Sequence, residues 1–262
     1  MKDATNLLWA ASPFGSVTNP WHKPSTWLSA VSLLWGEADG EPVLMGAGTV
    51  FMKIHRTRSL PFSAPLAAFG YRVLVPDAMG QTRAIVDAID NVVVQARRQA
   101  QIIAWHNGAD DLHVLRQLPR SADEPRHGGV DAVAAAWKDR GSRSPSTARC
   151  VDTSHDLGPA GLISETAAAH DLEPLKSFAG GQQQASAQAA CEALADGRTE
   201  DFAPEALVGS VLSSAVTTAL LGGKYAGRLH WEGTLSVYDV LEQVAWEAAP
   251  SLLGGVAAAR SE

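Results

Sequence analysis

The sequence predicts an α/β protein: a mixed five-stranded sheet flanked by helices on both faces, with a C-terminal helical extension. Three observations predict it. Residues 26–36 and 43–54 are rich in branched and aromatic side chains and flank the turn signal Glu37-Ala38-Asp39-Gly40-Glu41-Pro42, which makes them a hairpin. Residues 82–101 carry one apolar stripe, Ile85, Ile89, Val92, Val93, Ala96 and Ala100, at helical spacing. The short apolar run Ile102-Ile103-Ala104-Trp105 then ends in His106-Asn107-Gly108 and the pair Asp110-Asp111. Strand ends that carry acids are where α/β sheets present chemistry.

The elements follow in order. Residues 1–25, with Pro13, Pro20 and Pro24, predict an irregular arm that Trp9, Phe14 and Trp21 could pin to the body. The 55–81 connection contains Pro61, Pro65 and Pro76 and a third strand at Tyr71–Val75. A helix starts at Asp110–Leu118, a polar stretch occupies 119–129, and Val130, Val133, Ala134 and Trp137 mark another helix. Residues 139–147 form a charged, serine-rich loop before the short strand 149–153. Helices are predicted at 163–171, 183–195, 205–221 and 235–247, the third apolar nearly all round and therefore buried. The loop 172–182, with Gly180-Gly181, is long enough to face a partner. The domain reading is an arm at 1–25, an α/β domain at 26–200 and a helical extension at 201–262 packed on that domain.

Bulk properties narrow the function. Hydrophobic residues make up 46% of 262, enough for a substantial core. The net charge of −7 argues against a broadly basic surface but leaves room for a local basic groove. Cys150 and Cys191 have no metal-ligand spacing and read as buried thiols. The start lacks the apolar core of a signal peptide, and no run of some 18 apolar residues spans a membrane, so the expected location is cytoplasmic. No phosphate loop, dinucleotide-binding glycine pattern or zinc spacing occurs; Gly46-Ala47-Gly48 lies inside a strand.

Two segments carry a family resemblance. Ile103-Ala-Trp-His106-Asn107-Gly-Ala-Asp110-Asp111 looks like apolar-His-Asn-x-x-Phe-Asp, with Asp110 in place of the aromatic residue. Arg149-Cys150-Val151-Asp152-Thr153 looks like Cys-Ile-Asp-Thr. In this order they resemble the DnaQ-like 3′–5′ exonucleases, the DEDD nucleases of the ribonuclease H-like fold. The resemblance covers roughly residues 26–195, and Gly227–Gly233 is similar to sequences that trail such domains. It implies a ribonuclease H-like sheet, four carboxylates around two Mg²⁺ or Mn²⁺ ions, and a histidine base for the attacking water. It places Asp111 at a metal-binding position.

Most of the implied set is missing. The first strand should carry Asp-x-Glu, and residues 26–36 contain no acid. The last motif, His-x-Ala-x-x-Asp-Ala, finds its nearest match in Gln183–Ala189, with Gln183 where the base and Gln188 where the carboxylate would stand. An amide neither offsets a divalent charge nor acts as a base near neutral pH.

Plainer roles compete. Asp111 can cap its helix, and His106 and Asn107 can satisfy backbone groups at the strand end. His155-Asp156 is a candidate replacement acid/base pair, but neighbours on an extended segment point in opposite directions. His113 reads as a surface residue. Ser210, Ser213 and Ser214 lie on a helix without a nucleophile elbow and read as packing. Trp27, Trp35, Trp105, Trp137, Trp231 and Trp246 fall on apolar patterns and read as core. Lys53, His55, Arg56 and Arg58, with Arg83, Arg97 and Arg98, are either a solvated rim or a residual nucleic-acid groove.

The preferred reading is a catalytically degenerate DnaQ-like homologue that binds single-stranded nucleic acid or a protein partner without cutting, using His106, Asn107, Gln183 and Gln188 and needing no cofactor. One alternative is an active Mg²⁺- or Mn²⁺-dependent nuclease with relocated ligands among Asp110, Asp111, Asp152, Asp156 and Glu165. The other is an interaction subunit of a larger bacterial assembly.

Overall fold

The computed structural model describes residues 1–7, 24–118, 128–140, 148–158, 161–175, 181–198 and 203–245. Trp9, Phe14, Trp21, Gly180, Trp246 and the 139–147 loop beyond Arg140 lie outside the described residues.

The hairpin forms where the turn signal places it. β2 (Ser25–Ala38) and β3 (Glu41–His55) pair antiparallel across Asp39-Gly40, both at positive φ. Asp and Gly are residue types that accept that backbone state. β5 (Phe69–Val75) adds antiparallel to β3. α1 (Thr82–Gln99) crosses the sheet and returns the chain into β6 (Ala100–Trp105), parallel to β2. β7 (Arg149–Asp152) then pairs parallel to β6.

The sheet has six strands, not five, in the order β1-β5-β3-β2-β6-β7. The additional one is β1 (Lys2–Thr5), so the start of the predicted arm is an edge strand antiparallel to β5. Its four residues alternate between half-buried and exposed, which is too short a pattern to read without its partner. Asn6 extends the attachment, accepting from Tyr71 N–H and donating to the Phe69 carbonyl.

Helices cover both faces. α1, α2 (Gly108–Gln117) and α3 (Gly128–Lys138) pack on the face of Val31, Phe51, Ile103 and Trp105. The other face, with Leu28, Ala30 and Met52, meets α6 (Gln182–Ala195) and α7 (Pro204–Tyr225). Seventeen consecutive residues of α7, Leu207–Gly223, are buried. This is the helix expected to be buried, yet it is no appendage: it lies across β2, β3 and β6 and closes the core. Glycines on β3 admit it, since a Cβ at Gly48 would stand 2.7 Å from Val211 Cγ1 and one at Gly46 would stand 2.8 Å from Val211 Cγ2. α7 is long and apolar enough to cross a membrane, and 94% of its most apolar window is buried inside the fold.

Smaller elements complete the chain. α4 (Thr153–Asp156) follows β7 directly, and α5 (Ile163–Ala169) leads to β8 (Leu172–Glu173). β4 (Leu60–Pro61) pairs with β9 (Leu229–His230), and β10 (Leu235–Ser236) pairs with β8 before α8 (Val237–Ala245).

Candidate functional site

β2, β6 and β7 run parallel, so Trp35, Trp105 and Asp152 come together at one end of the sheet. Here α6 lies against β2, and between them opens a hollow of about 190 Å³. Ser32, Leu34 and Trp35 line its β2 side, His106, Asn107 and Asp111 its β6–α2 side, and Gln183, Gln184 and Ser214 its helical side. Leu162, Ile163 and Ser164 of the α5 entrance close the rim.

Among the described residues Asp111 is the only carboxylate lining this hollow, and it is buried. The chain enters α2 through Asn107, which adopts the left-handed region at φ 59° and is the residue before the first helical turn. Asn tolerates that conformation better than most side chains. Asp111 therefore lies inside the first turn and does not cap the helix. Its carboxylate instead accepts two indole N–H donors, Trp35 Nε1 on Oδ1 at 2.8 Å and Trp105 Nε1 on Oδ2 at 2.6 Å. A register irregularity between Leu34 and Trp35 accompanies this re-aiming of the Trp35 ring. Burial pushes the Asp111 pKa up to about 7; the two indoles pull it down less than burial raises it, and Asp110 and Asp152 add repulsion.

His106 is consumed by structure. Its Nδ1 lies 3.0 Å from Thr153 Oγ1 and its Nε2 3.2 Å from the Gly161 carbonyl oxygen. Burial holds its pKa below the ordinary histidine value, so the ring is neutral. A carbonyl only accepts, which assigns the proton to Nε2 and leaves Nδ1 to accept from the Thr153 hydroxyl. Neither nitrogen is available to take a proton from water.

Asp152 sits in a separate buried pocket. One oxygen accepts from Ser154 N–H and Oγ–H, the other from Trp137 Nε1 at 3.2 Å. It caps α4. The rings of Trp105 and Trp137 meet edge to face, with centroids 6.0 Å apart and planes at 78°. Three indoles, one each on β2, β6 and α3, thus supply N–H donors to the two buried carboxylates at this end of the sheet. Sequence reasoning assigned these tryptophans to packing alone; the available signal was the place of Trp105 at the end of its strand, shortly before Asp110-Asp111.

Of the remaining candidates, some converge and some do not. Gln183 reaches the hollow but exchanges hydrogen bonds with Ser214 Oγ at 2.8 and 3.1 Å. Gln184, not singled out from sequence, also lines it and donates to the Trp35 carbonyl. Gln188 is outside it and clamps α6 to β2, accepting from Glu37 N–H and donating to the Glu37 carbonyl. His155 is exposed, and the 153–156 segment is helical rather than extended. Asp156 accepts from Asp152 N–H and pairs with Arg140 at 3.6 Å, away from the hollow. Glu165 accepts from Leu162 N–H at the start of α5. Asp110 is exposed. Ser32 and Leu34, two apart on one face of β2, present a hydroxyl and an isobutyl group to the hollow.

This donor set does not fit a pair of divalent cations. Among the described residues no group of three or more His, Cys, Asp and Glu side chains is placed to hold a metal ion. The one carboxylate in the hollow is half protonated near neutral pH and faces two N–H dipoles whose positive ends already point at it. Hard cations require several oxygen ligands carrying net negative charge. The arrangement can hold a neutral, hydrogen-bonding group by amide and hydroxyl contacts.

Comparison with known proteins returned no matching family model, no matching curated protein and no matching solved structure.

Proposed function

We propose that this chain is a catalytically degenerate homologue of the DnaQ-like exonucleases, built on a ribonuclease H-like sheet, and that it acts by binding a nucleic-acid or protein partner rather than by cutting it. Two features support the lineage. Strands β5, β3 and β2 are antiparallel in sequence, and β6 and β7 then add parallel to β2 through helical connections, as a ribonuclease H-like sheet requires. The His106-Asn107 and Asp111 motif and the Cys150–Thr153 motif, on β7 and the start of α4, stand at adjacent strand ends of that sheet.

The observation that carries the loss of cutting is the state of Asp111. Both its oxygens are engaged by indoles, and the β2 positions beside it are Ser32 and Leu34. Cutting by the family route needs two ions, an activated water and a base. None of Ser32, Leu34, Gln183 or the neutral His106 supplies these. What remains is a recess of amide, hydroxyl and apolar walls around one indole-bound carboxyl.

The test is a nuclease assay on labelled single-stranded DNA and RNA with Mg²⁺ or Mn²⁺. The expected result is no turnover above buffer. Metal-dependent turnover abolished by Asp111→Ala would overturn the reading and restore an active enzyme.

A further inference from the structure

We infer that single-stranded nucleic acid binds at the end of the sheet opposite the hollow, on a cationic surface interleaved with aromatic rings. The fold gathers this surface from segments far apart in sequence. Lys53, Arg56 and Arg58 lie at and beyond the end of β3, which pairs there with the start of β2. Arg97 and Arg98 end α1, immediately before β6. Arg149 opens β7, beside Ile102. Arg228 joins α7 to β9, and its carbonyl accepts from Leu60 N–H. The Gln101 side chain donates to the Arg56 carbonyl, linking the β3 end to the β6 start.

Two contacts set aromatic rings beside cations at this end. The Arg149 guanidinium stands 5.2 Å from the centre of the Tyr225 ring, and that ring is 40% exposed. Lys224 Nζ stands 4.4 Å from the centre of the Trp231 ring. The Nε–H groups of Arg97 and Arg228 are buried and have no acceptor among the described residues. Lys53, Arg58, Arg98 and Arg149 are exposed. Acids on this side among the described residues include Asp171, which is held by Lys224, and Glu173 and Glu232 on the β8–β9 flank. Arg83, which sequence reasoning grouped with these residues, starts α1 and so stands at the other end.

The hollow end carries the acids Glu37, Asp39, Glu41, Asp77, Asp110 and Asp156, alongside Arg83 and with Arg140 paired to Asp156. From strand rise the two ends of β2, 14 residues long, lie roughly 43 Å apart. The exposed cations Lys53, Arg58, Arg98 and Arg149 fit phosphates. The exposed Tyr225 ring, with the half-buried Trp231 ring beside Lys224, fits unpaired bases, which stack on such surfaces, and not a closed duplex. This inference names a partner class for the binding role proposed above. It does not depend on the hollow being inactive, since a cutting enzyme would show the same rear surface.

The experiment is fluorescence anisotropy on the full chain with labelled single-stranded oligothymidylate and oligouridylate of about twenty nucleotides and a matched duplex. Binding is expected for single strands, preferred over duplex by about tenfold. Neutralising some four phosphates gives a log–log salt slope near −3, a loss of roughly fiftyfold between about 50 and 200 mM salt. Arg58→Glu with Arg98→Glu should weaken binding by more than about tenfold and flatten the slope. Tyr225→Ala should weaken it about five- to tenfold with the slope unchanged. Glu41→Gln, exposed at the hollow end, should leave it unaltered. Circular dichroism and melting check that each variant folds, and photocrosslinking of the unmutated chain gives an independent answer, with adducts expected on the Tyr225 peptide. Absent binding at low salt, equal affinity for duplex, indifference to the rear substitutions, or crosslinks confined to the hollow would each overturn the inference. A failed nuclease prediction would leave these results untouched.

Discussion

The buried carboxylate of Asp111 makes stability depend on pH in a defined direction. In the unfolded chain this group has the ordinary value of 3.8, and in the fold burial raises it to about 7. Between those values the folded state holds the proton and the unfolded state does not. Stability from this group is therefore full at low pH and is lost as pH rises through 7. The full span of about three pK units corresponds to ~4 kcal/mol, of which ~2.5 kcal/mol disappears between pH 5 and pH 8. His106, whose value is depressed by burial, acts with the opposite sign at the acid end of that window. The perturbation that isolates Asp111 is Asp111→Asn, which cannot ionise and leaves His106 in place. Urea unfolding of both proteins across this pH window reads the difference directly. Wild type should exceed the variant most at pH 5, and the gap should shrink by ~2.5 kcal/mol by pH 8. A gap that is constant with pH, or that widens toward pH 8, would refute the claim that a desolvated carboxyl sits under the two indoles.

Other consequences follow from the same geometry. Trp105→Phe removes the N–H that Asp111 Oδ2 accepts and should cost ~1–3 kcal/mol in chemical denaturation, with the Asp111 transition moved to higher pH. Gly222→Ala places a Cβ 2.5 Å from the Ala104 Cβ, so α7 must shift from the sheet; a loss of ~1–3 kcal/mol in the same assay is expected. Gln188→Ala breaks the clamp between α6 and Glu37, and faster amide exchange in α6 with little change in nucleic-acid affinity is the expected outcome.

How far the sequence led depends on what kind of signal each feature carried. The hairpin, α1 and β6 were legible because turn chemistry and periodicity are local properties. β1 was not, because four residues on a sheet edge show a pattern only against β5. The ladders β4–β9 and β8–β10 are two residues long and exist only through tertiary contact. At the hollow, the motif spacing brought His106, Asn107 and Asp111 to one place, and Gln183 joined them. Gln188 was misplaced because it stands on the part of α6 that borders Glu37 rather than the hollow. The dominant feature, indoles bonded to Asp111, was invisible: Trp35 and Asp111 are 76 positions apart, and an apolar pattern hides the polar edge of a tryptophan. The basic residues were legible as a group, but only the strand directions separate Arg83 from the rest and add Arg149 and Arg228.

The central claim is that the recess beside Asp111 lacks the negative charge to hold two hard cations. Manganese titration followed by water-proton relaxation, on wild type and on Asp111→Ala, tests it most directly. No saturable binding at sub-millimolar Mn²⁺, and identical curves for the two proteins, is the predicted result. Two ions bound per chain in the wild type, both lost in the variant, would contradict it.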